Sequence, residues 1–210
     1  MKLYFFPVAP NPTRVRLYLE EKRSAGCEIP IEEISVDLSQ GEQRRPEHLA
    51  RNPFGSLPVL ELDDGFHIFE SETILEYLEE CHPDPPLFGR DARERASTRQ
   101  LERVAEVRVL GPLARLIHAT KSPLGLPPNE ELAAAAREVL PAGLKFLDDT
   151  LSDGRAFLAG DRVSVADCTL AAALQFARFR DLEIDPGLAG IAHWDRAFRE
   201  RPSAKSVLVI

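Results

Sequence analysis

The chain has 210 residues, long for one small domain and short for two large ones. At 44% hydrophobic and 29% charged residues it reads as a globular protein with a buried core that needs no disulfide or metal staple. A formal net charge of −8 argues against a nucleic-acid or anionic-membrane partner.

In chain order, Leu3 to Phe6 form a short apolar run, the signature of a buried strand. The chain leaves it through "PVAPNPTRVR". Asn11 is expected to cap a helix with Pro12 in its first turn, running through Val15, Leu17 and Leu19 toward Lys22, with Thr13 on its surface. Ile34, Val36 and Leu38 alternate with polar residues and predict a second strand. "LPVLEL" and "FHIF", split by Asp63-Asp64-Gly65, predict a hairpin, and "SETILEYLEE" puts Ile74, Leu75 and Leu78 on one helix face. The order is β-α-β-(α)-β-β-α.

Prolines between Pro83 and Pro86 end that series, and beyond them only helical patterns occur. Leu101, Val104, Leu110, Leu113 and Ile117 trace a long helix that Gly111-Pro112 should kink, and another runs from about Asn129 to Leu151. In "LAGDRVSVADCTLAAALQFARF", Ser164 and Asp167 have capping-box spacing before a helix apolar nearly all round. The expected organisation is an α/β domain over residues 1–81, a linker over 82–90 and an all-α domain over 91–210.

Cys27, Cys81 and Cys168 are scattered, with no CxxC or Cys/His cluster, so no metal site or disulfide framework is expected. Free thiols fit a reducing cytoplasm. The N-terminal run lacks the h-region of a signal peptide, and no apolar run approaches a membrane-spanning length.

Two stretches point to ligand chemistry. Pro58 opens a strand, and a cis Leu57–Pro58 bond would turn the Leu57 N–H and C=O toward an extended peptide-like ligand; an ordinary trans proline fits the motif as well. Ser71 is placed to cap a helix and bind a carboxylate, with Glu70 beside it to hold an ammonium. That pair suits the head of an α-amino acid, and helix capping alone explains the same residues.

The strand-to-proline helix start, "NPFGSLPVLE", "FESETILEYLEE" and "FLAGDRVSVADCTLAAAL", in this order and before an all-helical half, resemble the glutathione S-transferase family over essentially the whole chain. The resemblance implies an α/β, thioredoxin-like N-terminal domain followed by a helical-bundle C-terminal domain. It further implies a cytoplasmic homodimer with glutathione as co-substrate and no metal. Carried over residue by residue, Leu57 before a cis Pro58 pairs with the cysteinyl part, and Glu70 and Ser71 hold the γ-glutamyl ammonium and carboxylate. Gln43 reaches the glycyl carboxylate; Ser56 stands where some members carry a Lys for that group. Arg44 or Arg45 could replace that charge.

Such enzymes activate the glutathione thiol at the start of the first helix, and there this chain departs from the family. Ala9 occupies the place of the usual hydroxyl, Phe5 the place of the tyrosine of other members, and Tyr4 should face the other side of the strand. Asn11 is the remaining polar candidate. The resemblance thus implies a transferase joining glutathione to a small hydrophobic electrophile, or a glutathione-dependent disulfide reductase. A non-catalytic binding or regulatory member is the alternative that Ala9 favours. The isomerase branch with a Ser-Ser-Cys motif does not fit. The electrophile pocket is expected between the domains, with Leu110, Leu113, Ile117 and His118 as candidate lining residues.

Overall fold

The computed structural model describes residues 1–209. The first half holds β1 (Lys2–Phe5), α1 (Pro10–Ser24), β2 (Glu32–Ser35), a 3₁₀ turn (Glu42–Arg44), α2 (Pro46–Leu49), β3 (Val59–Glu61), β4 (His67–Phe69) and α3 (Ser71–Cys81). The sheet order is β2-β1-β3-β4, with β1 parallel to β2 and the other neighbours antiparallel. This is the expected β-α-β-α-β-β-α series. The second strand is shorter and earlier than its alternation predicts, because its pairing with β1 ends at Phe5↔Ser35. Val36 and Leu38 continue past it and pack with Tyr4, Leu57 and Val59 on the outer face of the sheet.

The other sheet face, Leu3, Leu60 and Ile68, lies against α1 and α3 in a core that runs unbroken into the helical half. That half comprises α4 (Ala92–Val104), a π-helical stretch (Ala105–Leu110), α5 (Gly111–Lys121), α6 (Glu130–Leu151), α7 (Val165–Phe179), α8 (Ala189–Arg199) and α9 (Pro202–Val207). The π stretch is the form the expected kink takes. Pro112 has no N–H for the ladder, and the Gly111 N–H donates to Glu106 C=O, five residues back. Among the described residues no helix is long and apolar enough to cross a membrane.

Helix α7 is buried from Val165 through Ala177, as its composition predicts. Its start is held by Asp167, whose carboxylate accepts from the N–H groups of Leu158 and Ser164, the Ser164 hydroxyl and Trp194 Nε1 at 2.7–3.0 Å. Burial nevertheless raises its pKa to about 6. Between the halves, the buried Lys22 ammonium binds the carbonyls of His82 and Pro85 at 2.6 Å and Glu79 at 2.8 Å. Glu79 also accepts from Tyr18 and from the Phe88 N–H, so the connecting segment is tied to α1.

Candidate active site at the sheet end

The strand register explains how the candidate residues converge. Tyr4 pairs with Val59 and Val59 with Phe69, so the chain leaving β1, the chain entering β3 and the chain leaving β4 emerge at one end of the sheet. Ala9, Leu57-Pro58 and Glu70-Ser71 all follow directly from those ends.

The Leu57–Pro58 bond is cis. Among the described residues, the Leu57 N–H and C=O make no hydrogen bond. The approach to it is rigid. Buried Asn52 donates to Ser56 C=O at 3.1 Å and Ser56 Oγ at 2.9 Å, and His48 Nε2 lies 3.1 Å from the same carbonyl. Gly55, at φ +61, passes so close to the 3₁₀ turn that a Cβ would sit 2.9 Å from Gln43 C=O. Gln43 itself is buried with its Oε1 unpartnered among the described residues, while Ser56, Arg44 and Arg45 are exposed; Arg45 pairs with Glu42 at 3.0 Å.

Helix α3 does not begin as expected. Glu70 occupies its N-cap position, without a capping side-chain bond, at φ 68 and ψ 115. A glutamate at positive φ is a strained backbone of the kind that accumulates at binding sites. Ser71 is the first helical residue, not the cap, and its Oγ accepts from Arg14 Nε at 2.9 Å and Nη2 at 2.6 Å.

Helix α1 likewise starts earlier than predicted, by two residues. Ala9 is the N-cap and Pro10 the first helical residue, so Asn11 is an exposed second residue and does not cap the helix. Prolines at the first and third helical positions remove two donors, and the Thr13 N–H is bonded to Ala9 C=O. The first turn thus offers a ligand the Asn11 N–H alone. Thr13, expected on the surface, is buried. Its hydroxyl donates to Ala9 C=O at 2.9 Å and accepts from Gln175 of α7 at 3.2 Å, locking the junction to the helical half. Tyr4 donates to Glu61 at 2.7 Å on the outer sheet face and is not available here.

Beside Ala9 lies a cavity of about 230 Å³, lined by Phe6, Val8, Pro10 and Leu38 from one half and His118, Leu124, Phe176 and Phe179 from the other. It sits between the halves, as expected, but its lining differs. Leu110, Leu113 and Ile117 are at most 3% exposed and belong to the core; of the four candidates only His118 reaches the cavity. Its Nδ1 lies 3.1 Å from Ser122 Oγ, and burial moves its pKa below the ordinary 6.5, leaving a neutral imidazole at pH 7. His118 is the titratable group on this wall, and Arg14 is the residue sequence reasoning missed. The signal for Arg14 was its place three and four residues before Leu17 and Tyr18, on the helix face that these apolar residues bury.

Comparison with known proteins agrees with this geometry. The model described as "Glutathione S-transferase, N-terminal domain" matches residues 1–80, and "Glutathione S-transferase, C-terminal domain" matches residues 130–202. Glutathione S-transferase 2 of Saccharomyces cerevisiae is 33% identical over 100% of this chain and 90% of its own. Glutathione S-transferase F10 of Arabidopsis thaliana is 38% identical over 78% of this chain and 74% of its own. The crystal structure of Gtt2 from Saccharomyces cerevisiae superposes with a TM-score of 0.89 at 33% identity, covering 99% of this chain and 100% of that one. With its sheet, its helical half and both sequence halves in agreement, the chain belongs to the glutathione S-transferase family.

Proposed function

We propose that the protein binds glutathione across the end of the sheet and directs its thiolate into the cavity beside Ala9, where it attacks a small apolar electrophile. The observation that carries this reading is the apolar cavity of about 230 Å³ at the first-helix junction, beside the sheet end bearing the free Leu57 backbone groups and the Glu70-Ser71 pair. The Leu57 N–H and C=O pair with the cysteinyl unit. Ser71 donates to the γ-glutamyl carboxylate and Glu70 receives the ammonium. The glycyl end lies toward Gln43 and Ser56, without the lysine charge of other members.

The thiol must lose its proton, and at a pKa near 8.5 only about 3% is ionised at pH 7. With no hydroxyl at Ala9, we assign that task to neutral His118, the basic group of the cavity wall, while the Asn11 N–H and its amide steady the anion. The sulfur lone pair then forms the S–C bond and the leaving group departs with its electron pair. Disulfide exchange by the same thiolate is the second enzymatic choice. A pair of copies in a reducing cytoplasm fits three free cysteines and exposed Phe54 and Phe66, whose apolar surface pairing would cover.

A non-catalytic glutathione-binding role is favoured by one observation, the single free N–H of the α1 first turn. Turnover separates the two. Steady-state conjugation of an activated chloronitrobenzene, with loss on His118→Gln, supports the enzyme. Saturable glutathione binding with no turnover of either the electrophile or a glutathione mixed disulfide supports the binding role.

A further inference from the structure

A second cavity adjoins the one beside Ala9, and none of the assigned roles uses it. His118 lines both: the first, of about 230 Å³, and the second, of about 410 Å³, which lies between α5 and the start of α6. Ala114 and Arg115 of α5, Leu126 of the connecting segment, and Asn129 and Leu132 form much of the second wall. The segment from Ser122 to Asn129 runs past both cavities, giving Leu124 to the first and Leu126 to the second. It is held near its ends, where the Leu124 N–H donates to Ser122 Oγ at 3.2 Å and the Asn129 N–H to Ala119 C=O at 2.9 Å.

The chemistry of the walls is graded. Leu124, Leu126 and Leu132 are all exposed and gather here, and an apolar chain laid along them would remove that surface from water. Among the described residues that line the two cavities, Arg115 is the one charged side chain, because His118 is neutral. No carboxylate shares its cavity. Asn129 commits its Oδ1 to the Leu132 N–H at 3.0 Å as the cap of α6, which leaves its amide nitrogen as a donor. The path therefore runs from the reacting end at Ala9, along apolar walls, to two donors, one of them cationic. At about 30 Å³ for a water-sized group, the first cavity takes roughly eight such groups, so a longer molecule must continue past His118.

We propose that the second cavity is the tail site of the electrophile. Its substrates are elongated and amphipathic: a reactive carbon at one end, an aliphatic chain, and at the other end a carboxylate held by Arg115 and Asn129. This rests on the transferase reading of the site and narrows its substrate class. With an ω-halogenated alkanoate the step is a substitution. The thiolate sulfur forms a bond to the halogen-bearing carbon, and the halide leaves with the electron pair of the broken bond. The thiol proton passes through His118 to water. The guanidinium meets the carboxylate through two parallel N–H donors.

The test compares 10-iododecanoate, its carboxamide and 1-iodobutane as partners of glutathione on the full chain, by kcat/KM corrected for the uncatalysed reaction. The carboxylate should exceed the carboxamide about fivefold, the scale of a well-formed exposed guanidinium–carboxylate pair. Arg115→Ala should bring that ratio below about twofold and leave 1-iodobutane unchanged. Ala114→Phe narrows the second cavity and should depress both long substrates while sparing 1-iodobutane; where it does not fold cooperatively, Arg115→Ala, on the exposed face, carries the test. Binding is read apart from chemistry by calorimetric titration with decanoate, which should saturate at one site per chain and weaken on Arg115→Ala. A ratio near one in the parent, or a preference for the carboxylate that survives Arg115→Ala, overturns the tail site. If no iodide is turned over while decanoate binds with dependence on Arg115, the carboxylate site stands and the transferase reading falls.

Discussion

Replacing Ala9 by serine restores the hydroxyl that the family resemblance leads one to expect at this junction. Ala9 already has the extended backbone of an N-cap, φ −70 and ψ 129, so the exchange introduces no strain. With Pro12 at the third helical position, the new Oγ can accept only from the Asn11 N–H, leaving its own hydrogen free for a sulfur in the cavity. A hydrogen bond to the thiolate of about 1.5–3 kcal/mol corresponds to a fall of roughly one to two units in the thiol pKa. From about 8.5, a fall of one unit raises the ionised fraction at pH 7 from about 3% to about a quarter, roughly eightfold. The cap itself should add about 1 kcal/mol, or roughly 2–4 °C in Tm for a chain of this size. Bound thiolate is followed by its ultraviolet absorbance against pH, and conjugation rate at neutral pH should rise with it, the advantage fading above the thiol pKa. A higher Tm with an unmoved thiolate titration would refute the reasoning, because the hydroxyl would then reach its cap while the sulfur lay elsewhere.

Further expectations follow from the same geometry. Glu70→Gly should stabilise the fold by about 1 kcal/mol by relieving the positive φ, yet weaken glutathione binding by about 1.5–3 kcal/mol; denaturant unfolding and calorimetric titration read the two signs. Asn11→Ala should raise the pKa of bound thiol, opposite to Ala9→Ser, by the same absorbance assay. Because burial depresses the His118 pKa, the imidazole stays neutral to below pH 6.5, and its protonation should add an acid limb to kcat/KM below the one set by the thiol; His118→Gln should lower kcat/KM at neutral pH and remove that lower limb. Asp167→Ala strands the Leu158 and Ser164 N–H groups and Trp194 Nε1, and should cost about 3–5 kcal/mol by thermal or denaturant unfolding. Since the Asp167 pKa is raised in the fold, from 3.8 to about 6, its stabilising share is fullest below pH 3.8 and is lost as pH rises through 6; Asp167→Asn should remove that slope.

What was legible in the sequence was local. Asp63-Asp64-Gly65 between two apolar runs is enough to specify the hairpin, and the uniform apolarity around Val165 to Ala177 is enough to bury α7. The Gly111-Pro112 pair announced an irregular helix because a missing N–H acts on its own turn. Roles that depend on another element were not legible. Asn11 looks like a cap because asparagine favours that position, yet Pro10 is equally good as a first helical residue, and packing of Thr13 against Gln175 selects the earlier start. Leu110, Leu113 and Ile117 carry the periodicity of a buried face, which is the same for a core and for a cavity wall. Arg14 and Glu102 are each one charge among several in their helices, and only the approach of α1 to α4 turns them into a pair. The contact of Ser71 Oγ with Arg14 likewise depends on a second helix and is not announced by the place of Ser71 in its own.

Calorimetric titration of the purified chain with glutathione tests the central claim most directly. Saturable binding at one site per chain, weakened by about 1.5–3 kcal/mol on Ser71→Ala, is the result this account predicts. Absence of binding by the folded, unsubstituted chain would contradict it, as would binding indifferent to both Glu70→Ala and Ser71→Ala.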